Sequence, residues 1–479
     1  MTAQQSSTDA ERRLDAYVPR VLLRHLALTP DARVMSLDAT VVFADISGFT
    51  ALSERLARQG REGAEELTET IGGSLSALLT VAYENGGSLL TLGGDALLLL
   101  FEHEGHARRA CRAAAGMRAT LRTIGRLQTS AGRVTLRVSQ GIHSGTFHLF
   151  LVGDSHHAHM LVGPGASTVV RMEKAADAGE ILISPQTAAQ IPASCAGAPK
   201  GPGLLLAAAP SGAATWDEPE FARPTLEAVS LCLPTMVRSH VMAGGQPSEH
   251  RNVTVAFLRF AGTDDLIERE GPDATADALH ELVSDVQDAA DHFEVGFLES
   301  DVDDGGGKLL LTAGAPRIIG DDEERMLLAM RRVLDGTRRL PVRIGVNRGN
   351  VFAGDIGPHY RRTYSVMGDA VNLGARVMAK APAGELYSTA GALDRSPTHF
   401  RTLRLEPFAA KGKAKPVQAW SVGPPISART RTAVAVHFPL VGRDQEVGEL
   451  QAALEAARAG NGRLVEIVGE AGSGKTRLA

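Results

Sequence analysis

The segments VVFADISGFT (41–50) and LLTLGGDALLLLF (89–101) decide how this chain is read. In the first, an apolar strand ends on Asp45 and a turn of small residues opens the next helix. That geometry sets the Asp45 carboxylate and the Ile46 carbonyl beside backbone N–H groups of Ser47, Gly48, Phe49 and Thr50. Amides gathered at a helix start suit a polyphosphate, and the carboxylate suits its divalent cation. Alone, an aspartate before a turn is equally an ordinary helix cap. The second segment narrows the choice by placing Asp95 at the tip of a hairpin between apolar strands, Ser88–Thr91 and Ala96–Phe101. Two carboxylates at the ends of neighbouring strands can hold two divalent ions close together, which serves in-line displacement at phosphorus.

Working outward, the chain proves to be a tandem duplication. GPGASTVVRMEKAADAGEILIS (163–184) reads against GDAVNLGARVMAKAPAGELYST (368–389), so that Gly163 meets Gly368, Arg171 meets Arg376 and Gly179 meets Gly384. GIHSG (141–145) meets GVNRG (345–349), and VVFADISGF (41–49) meets VAFLRFAGT (255–263). Each copy reads as strand, long helix, hairpin, helix (Gly105–Ile124 or Asp321–Asp335), strand pair and helix. Strands and helices interleave without the continuous parallel pattern of a doubly wound sheet. The expected class is α+β, helices packed on a largely antiparallel sheet.

The 479 residues exceed one hydrophobic core, and 44% hydrophobic with 22% charged residues is ordinary for a soluble globular chain. A formal charge of -5 argues against a nucleic-acid partner. Cys111, Cys195 and Cys232 form no spaced set, so they read as reduced structural residues of a cytoplasmic protein. The polar N-terminus has no signal-like apolar run, and the longest apolar stretch, Leu89–Phe101, is too short and too polar to span a membrane. His143, His148, His156, His157 and His159 read as a solvated hairpin and loop rather than a metal site. Residues 1–34 form an N-terminal helical segment. The copies occupy 35–210 and 248–422, with linkers at 211–247 and 423–437.

FADISGFT, GGDALLLL, GVNRG and VMGDAVNLGAR together resemble the signature of class III adenylate and guanylate cyclases, over roughly 35–210 and 248–422. The tandem with a P-loop behind it is similar to the soluble adenylate cyclase branch. The resemblance implies two ferredoxin-like domains paired head to tail, ATP as substrate and two divalent metal ions, Mg2+ or Mn2+. It places the metal-binding aspartates on Asp45 and Asp95, with the Ile46 carbonyl assisting. In the second copy the matching positions are Arg259 and about Gly307, which hold no metal. The family's transition-state pair falls on Asn372 and Arg376, whose i, i+4 spacing puts both on one helix face. The first copy keeps Arg171 but has Ser167 for the asparagine. Each copy lacks what the other supplies, so one composite catalytic site and one degenerate site are expected.

For the base, family adenylate cyclases use a Lys with an Asp or Thr, and guanylate cyclases typically a Glu with a Cys. Ser365 matches the second position, and Lys308, in a glycine-rich stretch, is the lysine nearest the first. Guanylate cyclase is therefore the alternative activity, and a non-catalytic nucleotide sensor controlling an ATPase is another. Lys411 matches a lysine that contacts the triphosphate. Bicarbonate-stimulated relatives hold the anion with a Lys where this chain has Thr91, and with an Arg at Arg171, so a weak bicarbonate response is expected. Beyond 438, an apolar strand, RLVEIV, precedes Gly469-Glu-Ala-Gly-Ser-Gly474-Lys475-Thr476. This is a P-loop pattern whose amides and lysine would hold phosphates while Thr476 meets Mg2+. It reads as the front edge of an ATPase domain at 438–479, with no ATPase activity expected.

Overall fold

The computed structural model describes residues 13–48, 52, 55–56, 60–94, 96–130, 132–212, 220–245, 248–336, 338–409, 416–428, 442–469 and 478. It divides into two units, Met1–Ser427 and Ala428–Ala479.

In the first unit the duplication is visible strand by strand. The first copy contributes β1 (Val34–Ser47), β2 (Gly87–Gly93), β3 (Ala96–Glu102), β4 (Arg137–Val152), β5 (Ala158–Val162), β6 (Ile181–Ile183), β7 (Ala196–Lys200) and β8 (Gly203–Leu206). They form one sheet in the order β2-β3-β1-β4-β6-β8-β7, with β5 on β4. The second copy contributes β9 (Glu249–Ala261), β10 (Gly296–Asp303), β11 (Gly306–Ala313), β12 (Val342–Ile356), β13 (Thr363–Met367), β14 (Leu386–Thr389), β15 (Thr398–Arg404) and β16 (Ala419–Ala428). Their order, β10-β11-β9-β12-β14-β16-β15 with β13 on β12, is the same. Within each sheet only β4–β6 and β12–β14 run parallel among the described pairings. Helices α1 (Gly60–Glu84), α2 (His106–Ile124) and α3 (Pro164–Ala175) belong to the first copy. Their counterparts are α4 (Thr263–His292), α5 (Asp322–Asp335) and α6 (Asp369–Lys380). The α+β reading is thus the observed architecture.

Each copy completes its core with apolar side chains of the other. Phe352, Ile356 and Met367 of β12 and β13 are buried with Ile46, Leu92 and Leu97 of the first copy. In return Phe150, Val152, Met160 and Val162 of β4 and β5 are buried with Phe260 and Leu309 of the second. Two polar anchors fix these reciprocal arms. Gln287 of α4 accepts the Asp154 and Ser155 N–H groups at 2.7 and 3.0 Å and donates to the His156 carbonyl at 2.7 Å. Gly153, with φ +106°, leaves the room, since a Cβ there would stand 2.4 Å from the Gln287 amide. In the other direction, Arg361 from the β12–β13 turn donates to the carbonyls of Leu89 (3.4 Å) and Leu90 (3.2 Å), and to Ala16 and Arg362. Leu90 sits at a β-bulge, between Leu89 and Thr91, where the β2–β3 register shifts. A bulged strand leaves ladder carbonyls without strand partners, and the guanidinium supplies them.

Two expectations need correction. The stretch 211–247 contains helices Leu226–Leu231, capped by the Thr225 side chain, and Thr235–Met242. Val229, Cys232, Leu233, Val237 and Val241 bury against the sheets; their spacing was too short to show as a sustained period. The histidines do not form a solvated loop. His143 and His156 are buried, and desolvation pushes them down to about 4 and about 3, while His159, donating to the Leu90 carbonyl at 3.2 Å, falls to about 4. No metal-holding group of three or more His, Cys, Asp or Glu occurs among the described residues. No described helix is long and apolar enough to cross a membrane.

In the second unit, Asp444–Arg458 is helical, whereas Arg463–Gly469 pairs with no described strand and leaves Leu464 and Val468 exposed. The expected strand before the P-loop is absent because an isolated strand has no ladder to join. Gly474, Lys475 and Thr476 lie outside the described residues.

Arg361→Met tests the anchor at the bulge. It strands carbonyls that water cannot reach, so stability should fall by about 2–4 kcal/mol, read as the midpoint of urea unfolding. An unchanged midpoint would show the anchor to be dispensable.

Candidate active site

Asp45 lies two residues before the end of β1, paired in register with Ala96 of β3 and Ser139 of β4. Ile46 is fully buried in the first core, which fixes the chain direction at Asp45. The turn that follows β2 includes Gly94, which takes φ +64°. Asp95, Phe49, Thr50 and Lys411 lie outside the described residues. Glu173 of α3 lies against this strand end. It accepts a hydrogen bond from the Ser139 hydroxyl at 3.2 Å, and its carboxyl is pushed up to about 7 by burial and then by Asp45. Crowded, partly buried carboxyls that resist joint ionisation are a donor set suited to a divalent cation.

The second copy brings the complementary parts. Met367, one residue before the glycine that starts α6, is buried in the same cluster as Ile46 and Leu97. The start of α6 is thereby tied to the first copy's core. Asn372 and Arg376 project from this helix half-buried, and Arg376 Nη1 is buried without a hydrogen-bond partner among the described residues. Ser365 on β13 is fully buried with its Oγ equally unpartnered. Such orphaned donors are costly in a finished core and ordinary in a site that receives a ligand. The GIHSG and GVNRG motifs now have a reason. A Cβ on Gly345 would stand 2.1 Å from Met378 N, and one on Gly141 2.2 Å from Glu173 N. Only glycine lets α6 and α3 lie backbone-to-backbone on β12 and β4.

The ladders also settle which residues correspond. Thr91 pairs with Leu98, which pairs with Phe43, which pairs with Gly141. Glu299 pairs with Leu310, then Phe257, then Gly345. Glu299 therefore holds in the second copy the place Thr91 holds in the first, and both follow a bulge, at Leu298 and Leu90. Lys308 sits instead opposite Arg259, the place of Ala96, and its ammonium pairs with Asp301 at 2.9 Å. Glu299 is pushed up to about 8 by burial and then by Asp301, with Lys308 opposing, and its Oε2 has no partner among the described residues. A Cβ on Gly93 would meet the Asp301 carboxylate at 3.7 Å, so the two hairpins touch. Gly307 lies within the ladder, paired with Val302, and the second-copy turn falls at Asp304 and Gly305.

In the second cleft, Ser167 Oγ accepts the Gly305 N–H at 2.8 Å, and Arg171 Nε lies 3.6 Å from an Asp304 carboxylate oxygen. Of the residues singled out in the sequence, Ser167 and Arg171 lie against the β10–β11 turn, Asn372 and Arg376 stand on α6, Ser365 on β13 and Asp45 on β1. Sequence reading missed Glu299 and Glu173, which only the strand register and the helix packing reveal.

The chain is thus one α+β unit twice over, with Asp45 on the central strand of one copy and Asn372 and Arg376 on a helix of the other. The adenylate and guanylate cyclase catalytic domain model matches residues 35–196 and 246–422, and the chain belongs to that family. An AAA ATPase domain model matches residues 439–479. Human adenylate cyclase type 10 is 26% identical over 77% of this chain and 25% of its own length. The rabbit protein of that name is 23% identical over 97% of this chain and 32% of its own length. The chain thus spans a quarter to a third of these relatives. A class III adenylyl cyclase-like ATP-binding protein from Pseudomonas aeruginosa shares the fold, with a TM-score of 0.53 at 13% identity over 82% of this chain and 93% of its own.

Gly345→Ala tests the packing that aims α6. The added carbon displaces the helix, and a displacement of about 1 Å costs roughly 100-fold in turnover. That loss is expected with an unchanged circular dichroism spectrum. Near-normal turnover would mean that α6 does not position the reaction.

Proposed function

We propose that the chain is an adenylate cyclase, converting ATP to 3′,5′-cyclic AMP and pyrophosphate in the first cleft. The observation that carries this reading is the division of parts: Asp45 on the first copy's central strand where the second has Arg259, and Asn372 with Arg376 on the second copy's helix where the first has Ser167 with Arg171. The human and rabbit relatives, both named adenylate cyclase type 10, support the same class. In the reaction the ribose 3′-hydroxyl attacks the α-phosphate and the bond to pyrophosphate breaks. Asp45 and Asp95, with the Ile46 carbonyl, would hold two divalent ions, Mg2+ or Mn2+, which supply positive charge at the hydroxyl and the phosphate. Asn372 orients the ribose. Arg376, with a free buried N–H, meets charge that develops on the α-phosphate. Backbone N–H groups from Ser47 to Thr50, with Lys411, receive the β- and γ-phosphates. Three buried free cysteines, Cys111, Cys195 and Cys232, suit a reducing cytoplasmic setting.

Asp45→Asn should lower turnover by orders of magnitude with the fold intact. Arg376→Ala should depress kcat far more than it raises KM, and by a far larger factor than Arg171→Ala does. The assay is chromatography of products from ATP or GTP with Mn2+. Absence of any cyclic product would leave a nucleotide-binding pair without catalysis.

Glu299 favours a second reading, guanylate cyclase, because an acid stands at the base-reading position. The protonation state discriminates. A neutral carboxyl donates one hydrogen bond and accepts one, matching the adenine edge, whereas a carboxylate accepts two, matching the guanine edge. With Glu299 held at about 8, the neutral form dominates near neutrality and ATP is preferred. Raising the pH through that value ionises Glu299, so the ATP/GTP ratio of kcat/KM should fall between about pH 7 and about pH 9. Glu299→Gln, which cannot ionise, should keep the ATP preference across this range. A ratio that ignores pH in the unaltered chain would remove Glu299 from base reading.

A further inference from the structure

The two hairpins are not copies in length. From the shared rung at Leu92 and Leu97, β2 and β3 make one more pair, Gly93 with Ala96, before the turn. From the equivalent rung at Ser300 and Leu309, β10 and β11 make three, ending on Asp303 with Gly306. The two additional rungs and the turn carry Asp303 and Asp304 into the second cleft. There Asp303 takes Arg259 Nε at 2.5 Å through one oxygen and Lys174 Nζ at 3.1 Å through the other. Arg259 also donates to the Asp304 carbonyl at 2.7 Å. The Asp304 carboxylate faces Arg171, and the Ser167 hydroxyl, which takes the Gly305 N–H, also meets Asp264. The carboxyl of Asp303 is held at about 2, because Lys308, Arg259 and Lys174 outweigh its burial.

We propose that Asp303 and Asp304 are the resident anion of the second cleft. They occupy, by covalent attachment, the place a free oxyanion would take between Arg171, Lys174 and Arg259, and so hold the two copies in the register that the first cleft needs. Arg259 stands where the first copy has Asp45, and Arg171 and Lys174 lie on the helix that corresponds to α6. The cations therefore gather where a second substrate's phosphates would have lain. The hairpin neutralises all three from within the chain. They are positioning residues: none touches the first cleft's reacting atoms. This rests on the two-cleft reading but not on turnover.

The experiment uses the full chain and inorganic phosphate, with chloride at matched ionic strength as control. In the unaltered chain, phosphate should give no saturable rise in the thermal midpoint that Arg171→Ala abolishes. In Asp303→Asn/Asp304→Asn it should, because the cations are left without their anion. The same double variant should lose about tenfold in kcat, about 1.4 kcal/mol, with KM little changed, and phosphate should recover part of that loss. A saturable, Arg171-dependent midpoint shift in the unaltered chain would overturn the proposal, as would a double variant with full kcat and no phosphate response. If the double variant fails to fold, the phosphate titration of the unaltered chain still decides. That midpoint is read without turnover, so it remains informative even if no cyclic product forms.

Discussion

The constraint on which the rest depends is the burial of Met367 against Ile46 and Leu97. It ties the end of the first copy's central strand and the start of α6 in the second copy to one apolar cluster. A buried apolar side chain of this size contributes about 1.5–3 kcal/mol. Its value here lies more in position than in energy, because it sits one residue from Gly368 and a few from Asn372. The reciprocal contact of Val162 with Phe260 and Leu309 makes the arrangement self-consistent. Neither copy has a complete core alone, so separation of the halves exposes apolar surface at both ends at once.

Duplication explains why two clefts exist, and strand register explains why they differ. The bulges at Leu90 and Leu298 are retained, as are the close glycines Gly141 and Gly345. These features belong to the scaffold and are needed twice. What has diverged lies beyond them, in the hairpin tips and on the outer turns of α3 and α6. A two-residue change in each strand of a hairpin preserves the alternation of faces, since the side-chain period is two. The longer β10–β11 hairpin therefore keeps Glu299 and Asp301 on their face while carrying new acids past the end of the sheet.

Much of the fold was legible because its signals are local: apolar strands ending in Asp45 or Arg259, a glycine turn, and helices with a fixed offset between copies. Asn372 and Arg376 were legible because a helix turn puts them on one face. The base position was not. Lys308 was chosen by proximity in sequence, but the chain around it, Asp303–Gly307, is the insertion itself, and no spacing rule reveals where a hairpin lengthens. Only the ladder from Gly345 through Phe257 and Leu310 points to Glu299. The buried histidines were misread for a related reason. Burial of His156 depends on Gln287, 131 residues away, and a local window contains nothing of that partner.

The two clefts end with opposite electrostatic characters built from one template. The first gathers carboxyls, Asp45 and Glu173 at the strand end and Glu299 in the partner copy, which Lys308 offsets only in part. Glu173 and Glu299 are both pushed up because burial penalises their ionised forms and a neighbouring acid adds to it. Such a site is poised to gain from incoming positive charge. In the second cleft Asp303 moves the other way, down to about 2, because Lys308, Arg259 and Lys174 surround it. Its charges are satisfied before any ligand arrives. The same sheet end thus yields one cleft with an unmet electrostatic demand and one whose demand is met by the chain itself. Only the former has a physical reason to recruit metal ions and a polyphosphate.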